Sequence, residues 1–130
     1  MSGPSSMRTP LGRVRNLGSS HSGTTDFWRQ RLTAVAMALL IVPVIVIILM
    51  LIGRNQAGAA QILGSLPVAV ILLLFIIAST WHMKIGVQIV IEDYVHNEKL
   101  KLASVMANNF FCIAVALASA YAIFKLSSGV

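Results

Sequence analysis

Residues 32–52 read LTAVAMALLIVPVIVIILMLI, a run of twenty-one residues without one charge. The hydrocarbon core of a bilayer is about 30 Å thick, and a helix needs about twenty apolar residues to cross it. Pro43 lies inside the run, a position that membrane helices tolerate better than soluble ones. Gly53-Arg54-Asn55-Gln56 closes it. Two further apolar runs follow, over about 63–91 and 102–124, ended by Glu92-Asp93 and by Lys125. Each run is unbroken. None shows the alternation of a membrane barrel strand, and no internal repeat is visible. The expected fold is therefore an all-α integral membrane protein with three transmembrane helices. It is divided into an arm over 1–30, a three-helix membrane unit over 31–125 and a tail over 126–130.

Composition agrees. Of the 130 residues, 57% are hydrophobic and only 11% charged, against about 25% charged in ordinary soluble domains. The formal net charge of +6 does not indicate nucleic acid, because the basic residues flank apolar runs and form no stripe. The single cysteine, Cys112, permits no disulfide within the chain and reads as a small packing residue. Residues 1–30 are rich in Ser, Gly, Arg and Pro and lack the apolar core of a secretory signal.

Lysine and arginine near the spans set the expected orientation. Arg8, Arg13, Arg15, Arg29 and Arg31 precede the first span, and Lys99 and Lys101 lie in the second loop. Only Arg54 and Lys125 stand on the other side. The N-terminus and the second loop are expected in the cytoplasm and the C-terminus outside.

The second span carries the chemistry. Residues 81–94 read WHMKIGVQIVIEDY, placing ionisable groups where a central charge costs about 2.5–3.5 kcal/mol. At roughly 100° per residue, His82, Gly86, Ile89 and Asp93 form one stripe, with Asp93 about 16 Å along the axis from His82. A histidine deep in the span thus shares a face with an Asp93-Tyr94 pair at the cytoplasmic mouth. Gly86 removes a side chain where a flat macrocycle or another helix can press close. Lys84, Gln88 and Glu92 form a second ladder facing away, read as a snorkelling lysine with Gln88 bridging to Glu92.

Three uses of His82 fit this pattern: an interhelical hydrogen bond, a haem axial ligand, or a proton relay. A second axial ligand would come from another chain, since His21 and His96 lie outside the spans. Asp93 and Tyr94 suit either a polar helix end or the mouth of a pocket for a lipid-soluble ligand, where a phenol donates to a quinone carbonyl. Arg31, in WRQRLT, suits a positive flank or a clamp for an anionic group such as a haem propionate.

The pattern His82-x3-Gly86-x6-Asp93-Tyr94 resembles the D-type membrane anchor of succinate dehydrogenase, as does the start Arg31-Leu32-Thr33-Ala34 of the first span. The wording of residues 88–96, QIVIEDYVH, is close to alphaproteobacterial members. The resemblance covers about residues 26–125, and its third span is generic apolar sequence. Lys84 departs from it, standing where some relatives have tryptophan.

This resemblance implies a fold that packs with a second three-span subunit, a cytochrome b subunit, in the bacterial inner membrane. Together the two hold a flavoprotein and an iron–sulfur subunit at the cytoplasmic face. FAD and iron–sulfur clusters, confined to those partners, pass electrons from succinate to ubiquinone. His82 then matches an axial ligand of a shared haem b, Tyr94 and Asp93 a ubiquinone pocket, and Arg31 the haem propionate region. Two alternatives stand beside it: a haem-free structural anchor of a related complex such as fumarate reductase, and a small transport subunit using the Lys84–Gln88–Glu92 ladder.

The orientation is tested with single cysteines in a Cys112→Ser background. Ser128→Cys is expected to react with a membrane-impermeant maleimide added outside the cell, and Lys99→Cys only after the inner face is opened. The reverse pattern would invert the topology.

Overall fold

The computed structural model describes residues 9–11 and 22–129. Arg8, Arg13, Arg15 and His21, and most of the arm over 1–30, lie outside the described residues. Among the described residues from Ser22 on, four helices follow in order: α1 (Ser22–Leu51), α2 (Gln56–Leu63), α3 (Leu66–Tyr94) and α4 (Glu98–Ser128). Helices α1, α3 and α4 are each long and apolar enough to cross a membrane.

Helices α1 and α4 outrun their apolar segments, and α3 is shifted three residues toward its C-terminus. At about 1.5 Å per residue, the 29 residues of α3 reach about 43 Å, well beyond a hydrocarbon core of about 30 Å. Helix α1 starts ten residues before the first apolar run and continues through Pro43. The helix ends follow local chemistry. Pro67 sits in the first turn of α3, where its missing N–H costs nothing. The Asn97 side chain accepts from the N–H groups of Lys99 and Leu100, at 3.0 and 3.2 Å, and so starts α4. Only Val95, His96 and Asn97 separate α3 from α4, which makes these two a tight antiparallel hairpin.

Helix α3 is central. It packs on α1 along one side and on α4 along the other, while α1 and α4 do not pack on each other among the described residues. The three long helices thus form a row, with little enclosed core. Val44, Ile47, Ala69, Ala78, Ile85, Cys112 and Ile123 are buried. Three of the seven are Ala or Cys, because lipid tails give helices no hydrophobic reason to associate and close backbone approach has to supply the contact. Asn108, in the run read as generic apolar sequence, is the buried polar residue of the described set. Its Nδ2 donates to the Lys84 carbonyl at 2.9 Å, and its Oδ1 accepts from the Cys112 thiol at 3.5 Å. Cys112 is buried, as a packing residue should be.

Helix α2 was not foreseen. Its eight residues are QAGAAQIL. The Asn55 side chain accepts from the Gly58 N–H at 2.8 Å and caps the first turn. Gly53, at φ +73°, supplies the left-handed residue that turns the chain out of α1. Gly64 ends α2 against the far end of α4: a Cβ there would lie 2.5 Å from the Leu126 carbonyl oxygen. Gly64→Ala is therefore expected to cost about 1–3 kcal/mol as an overpacked contact. A fall in the thermal unfolding midpoint of the detergent-solubilised assembly is the measurement. An unchanged midpoint would show that α2 can pull away from α4 freely.

Candidate functional site at the mouth of the α1–α3 cleft

His82 sits on the α1 side of α3, as its stripe requires. Thr33 Oγ1 lies 3.1 Å from His82 Nδ1, and Gln30 Nε2 lies 3.4 Å from His82 Nε2. The interhelical hydrogen bond expected as one use of this histidine is therefore present, and it is made to α1. Gly86, one turn on, lies against the same glutamine: a Cβ there would stand 3.5 Å from Gln30 Nε2. A methyl group there would make only ordinary contact with Gln30.

These contacts set the height of His82 relative to α1. Thr33 is the second residue of the first apolar run and Gln30 precedes it. The imidazole is thus level with the mouth of that run, although it lies near the middle of α3. The offset arises because α1 begins well before its apolar segment, and those extra turns run beside the last turns of α3.

An open cleft of about 570 Å³ lies here, lined by Asp26, Phe27, Gln30, Arg31, Ala34, His82, Ile89 and Glu92. Its volume is within the roughly 300–1,000 Å³ typical of small-molecule sites. His82 and Arg31 are brought together on it. The Arg31 guanidinium stacks 4.4 Å over the Phe27 ring, one turn back, which holds the charge at the rim. Arg29 takes another direction, 3.9 Å from Asp26 and 5.9 Å over the Trp81 ring.

The cleft does not gather every expected residue. Asp93 and Tyr94 are exposed and do not line it, with Tyr94 77% accessible. They stand at the end of α3, about 16 Å along the axis from His82. Glu92, expected on the opposite ladder, does line it. A ladder of spacing four drifts about 40° each step, so by Glu92 it has swung round to the α1 side. Gln88 Nε2 donates to Glu92 Oε1 at 2.8 Å, the bridge expected of that ladder. Lys84 lies on the α4 side, in a separate groove with Trp81 and Cys112.

Among the described residues, no three His, Cys, Asp or Glu side chains converge as a metal site. The cleft thus presents one imidazole. Gln30 Oε1 is buried with no hydrogen-bond partner, a condition that costs about 1–3 kcal/mol and marks the site as incomplete in this chain alone. Gln30 and Thr33 were missed by sequence reasoning. The available signal was two uncharged polar residues at i, i+3 at the start of the first apolar run, which place both on one face of α1.

Residues 5–116 match the family described as succinate dehydrogenase/fumarate reductase transmembrane subunit. The succinate dehydrogenase hydrophobic membrane anchor subunit of Paracoccus denitrificans is 31% identical over 121 residues, covering 93% of each chain. That of Rickettsia bellii is 30% identical over 120 residues, covering 90% of this chain and 94% of its own. That of Rickettsia conorii is 31% identical over 120 residues with the same coverage. No solved structure matches the chain significantly. Three membrane-length helices and three relatives named as membrane anchors make this a multi-pass membrane protein. The match extends over most of the chain and takes in all of α1 and α3, the two helices that frame the cleft; the chain belongs to the succinate dehydrogenase/fumarate reductase transmembrane subunit family.

Proposed function

We propose that the chain is the hydrophobic membrane anchor of a succinate dehydrogenase in the bacterial inner membrane, contributing one axial ligand to a haem b and part of a ubiquinone pocket. Its partners in this reading are a three-span cytochrome b subunit, an iron–sulfur subunit and a flavoprotein. The N-terminus and the α3–α4 turn face the cytoplasm, and the C-terminus faces the periplasm.

One observation carries the haem reading: His82 presents its ring to an open cleft that also holds Arg31, beside a buried polar atom left without a partner. The residues fit the group. A neutral imidazole is a good iron ligand. An arginine on the rim suits a propionate. A single imidazole requires the second ligand from another subunit. Haem, when bound, would supply a one-electron store within the membrane near the quinone.

The quinone reading rests on Tyr94 and Asp93 at the cytoplasmic end of α3. Ubiquinone is the substrate, and its reduction to ubiquinol consumes two electrons and two protons. The Tyr94 phenol, well exposed, donates a hydrogen bond to a carbonyl oxygen of the ring and favours the negative charge that builds there. The neighbouring Asp93 carboxylate accepts and hands on a proton at the water-facing rim.

His82→Ala in the purified complex is expected to abolish the low-spin haem absorbance. An unchanged spectrum would reject His82 as the ligand, and a parent complex without haem absorbance would leave a haem-free structural anchor. Tyr94→Phe is expected to slow ubiquinone reduction by roughly ten- to a thousand-fold, the scale for loss of a positioned donor. Succinate oxidation by an artificial acceptor should survive, and equal loss of both would point to failed assembly.

A further inference from the structure

Two side chains of α1 close on the His82 imidazole, and both suit the same tautomer. Gln30 approaches Nε2 through its amide nitrogen at 3.4 Å. A primary amide nitrogen donates, which suits an Nε2 that offers its lone pair. The proton of the neutral ring is then on Nδ1. Thr33 Oγ1 receives it at 3.1 Å. Thr33 is free to accept because its own hydroxyl hydrogen goes to the α1 backbone, with the Arg29 carbonyl at 2.8 Å and the Gln30 carbonyl at 3.1 Å. The imidazole is thereby tied through one hydroxyl to a helix backbone.

Resting on the haem reading above, we infer that Thr33 is a positioning residue: it holds His82 as the Nδ1–H tautomer and leaves Nε2 as the atom offered to iron. Gln30 covers that lone pair until the metal takes its place. A metal-bound histidine commonly donates its second ring N–H to an acceptor that fixes the ring and raises its basicity, and here the acceptor is built into the neighbouring span. The cover is weak. Its contact is long at 3.4 Å, and the amide oxygen on the same side chain is buried without a donor. Gln30 thus gives up little when it leaves.

The test uses the assembled complex, with flavin content and dye-linked succinate oxidation as checks on assembly. Thr33→Val keeps the shape and removes the acceptor. It is expected to weaken haem retention against a haem-scavenging protein by about ten- to a hundred-fold and to raise the haem midpoint potential, because a less basic imidazole favours the ferric ion less. Thr33→Ser restores both. Gln30→Ala retains haem at least as well as the parent. Parent-like retention and potential in Thr33→Val would overturn the positioning role, as would equal loss in Thr33→Ser. Haem loss in Gln30→Ala matching His82→Ala would overturn the covering role. If the parent complex carries no haem, or keeps it in His82→Ala, the underlying reading fails instead. That failure is visible before any α1 variant is compared.

Discussion

A polar group in lipid has no water to turn to, and that constraint organises everything else in the chain. Backbone groups meet it by forming helices. Ser79 and Thr80 meet it by bonding to carbonyls of their own helix, and a few other polar side chains by reaching across to the next one. Asn108 reaches from α4 to the Lys84 carbonyl of α3, and His82 reaches from α3 to Thr33 and Gln30 of α1. With so few buried apolar residues, these crossings do much to specify which faces meet. One residue of α3 bonded on each side fixes the order α1, α3, α4. It also fixes which edge of the central helix opens on the cleft.

The spans were legible for the same reason. Lipid demands unbroken apolar runs, so their number could be read directly from the sequence. Their ends could not, because a helix continues for as long as its backbone is satisfied, whatever the polarity of its side chains. Helix α1 accordingly keeps going through Phe27, Trp28 and Arg29 to Ser22. Helix α2 left only short-range marks, Asn55 and Gly64, and eight residues are too few to form a helix without the tertiary contacts it makes.

The site was half legible. A helical wheel assigns residues to a face but does not name the neighbour of that face. The stripe of His82, Gly86 and Ile89 was visible, and its packing on α1 was not. The wheel also treats a four-residue ladder as straight, which is why Glu92 arrived on an unexpected side. Thr33 and Gln30 were hidden because a threonine and a glutamine at the start of an apolar run look like ordinary interfacial residues. Their meaning depends on what stands at the same height on another helix. The same holds for Tyr94, whose exposure in the single chain carries no sign of what covers it in the complex.

The two ends of the helix row are unlike. At one end α2 touches all three long helices, and Gly64 lies against the terminal turn of α4. At the other, α1 and α3 part around an open cleft. At that same end a three-residue turn keeps α3 and α4 together, so the gap concerns α1 alone. A wedge seated in the cleft therefore sets the spacing of one helix and leaves the other pair as it is.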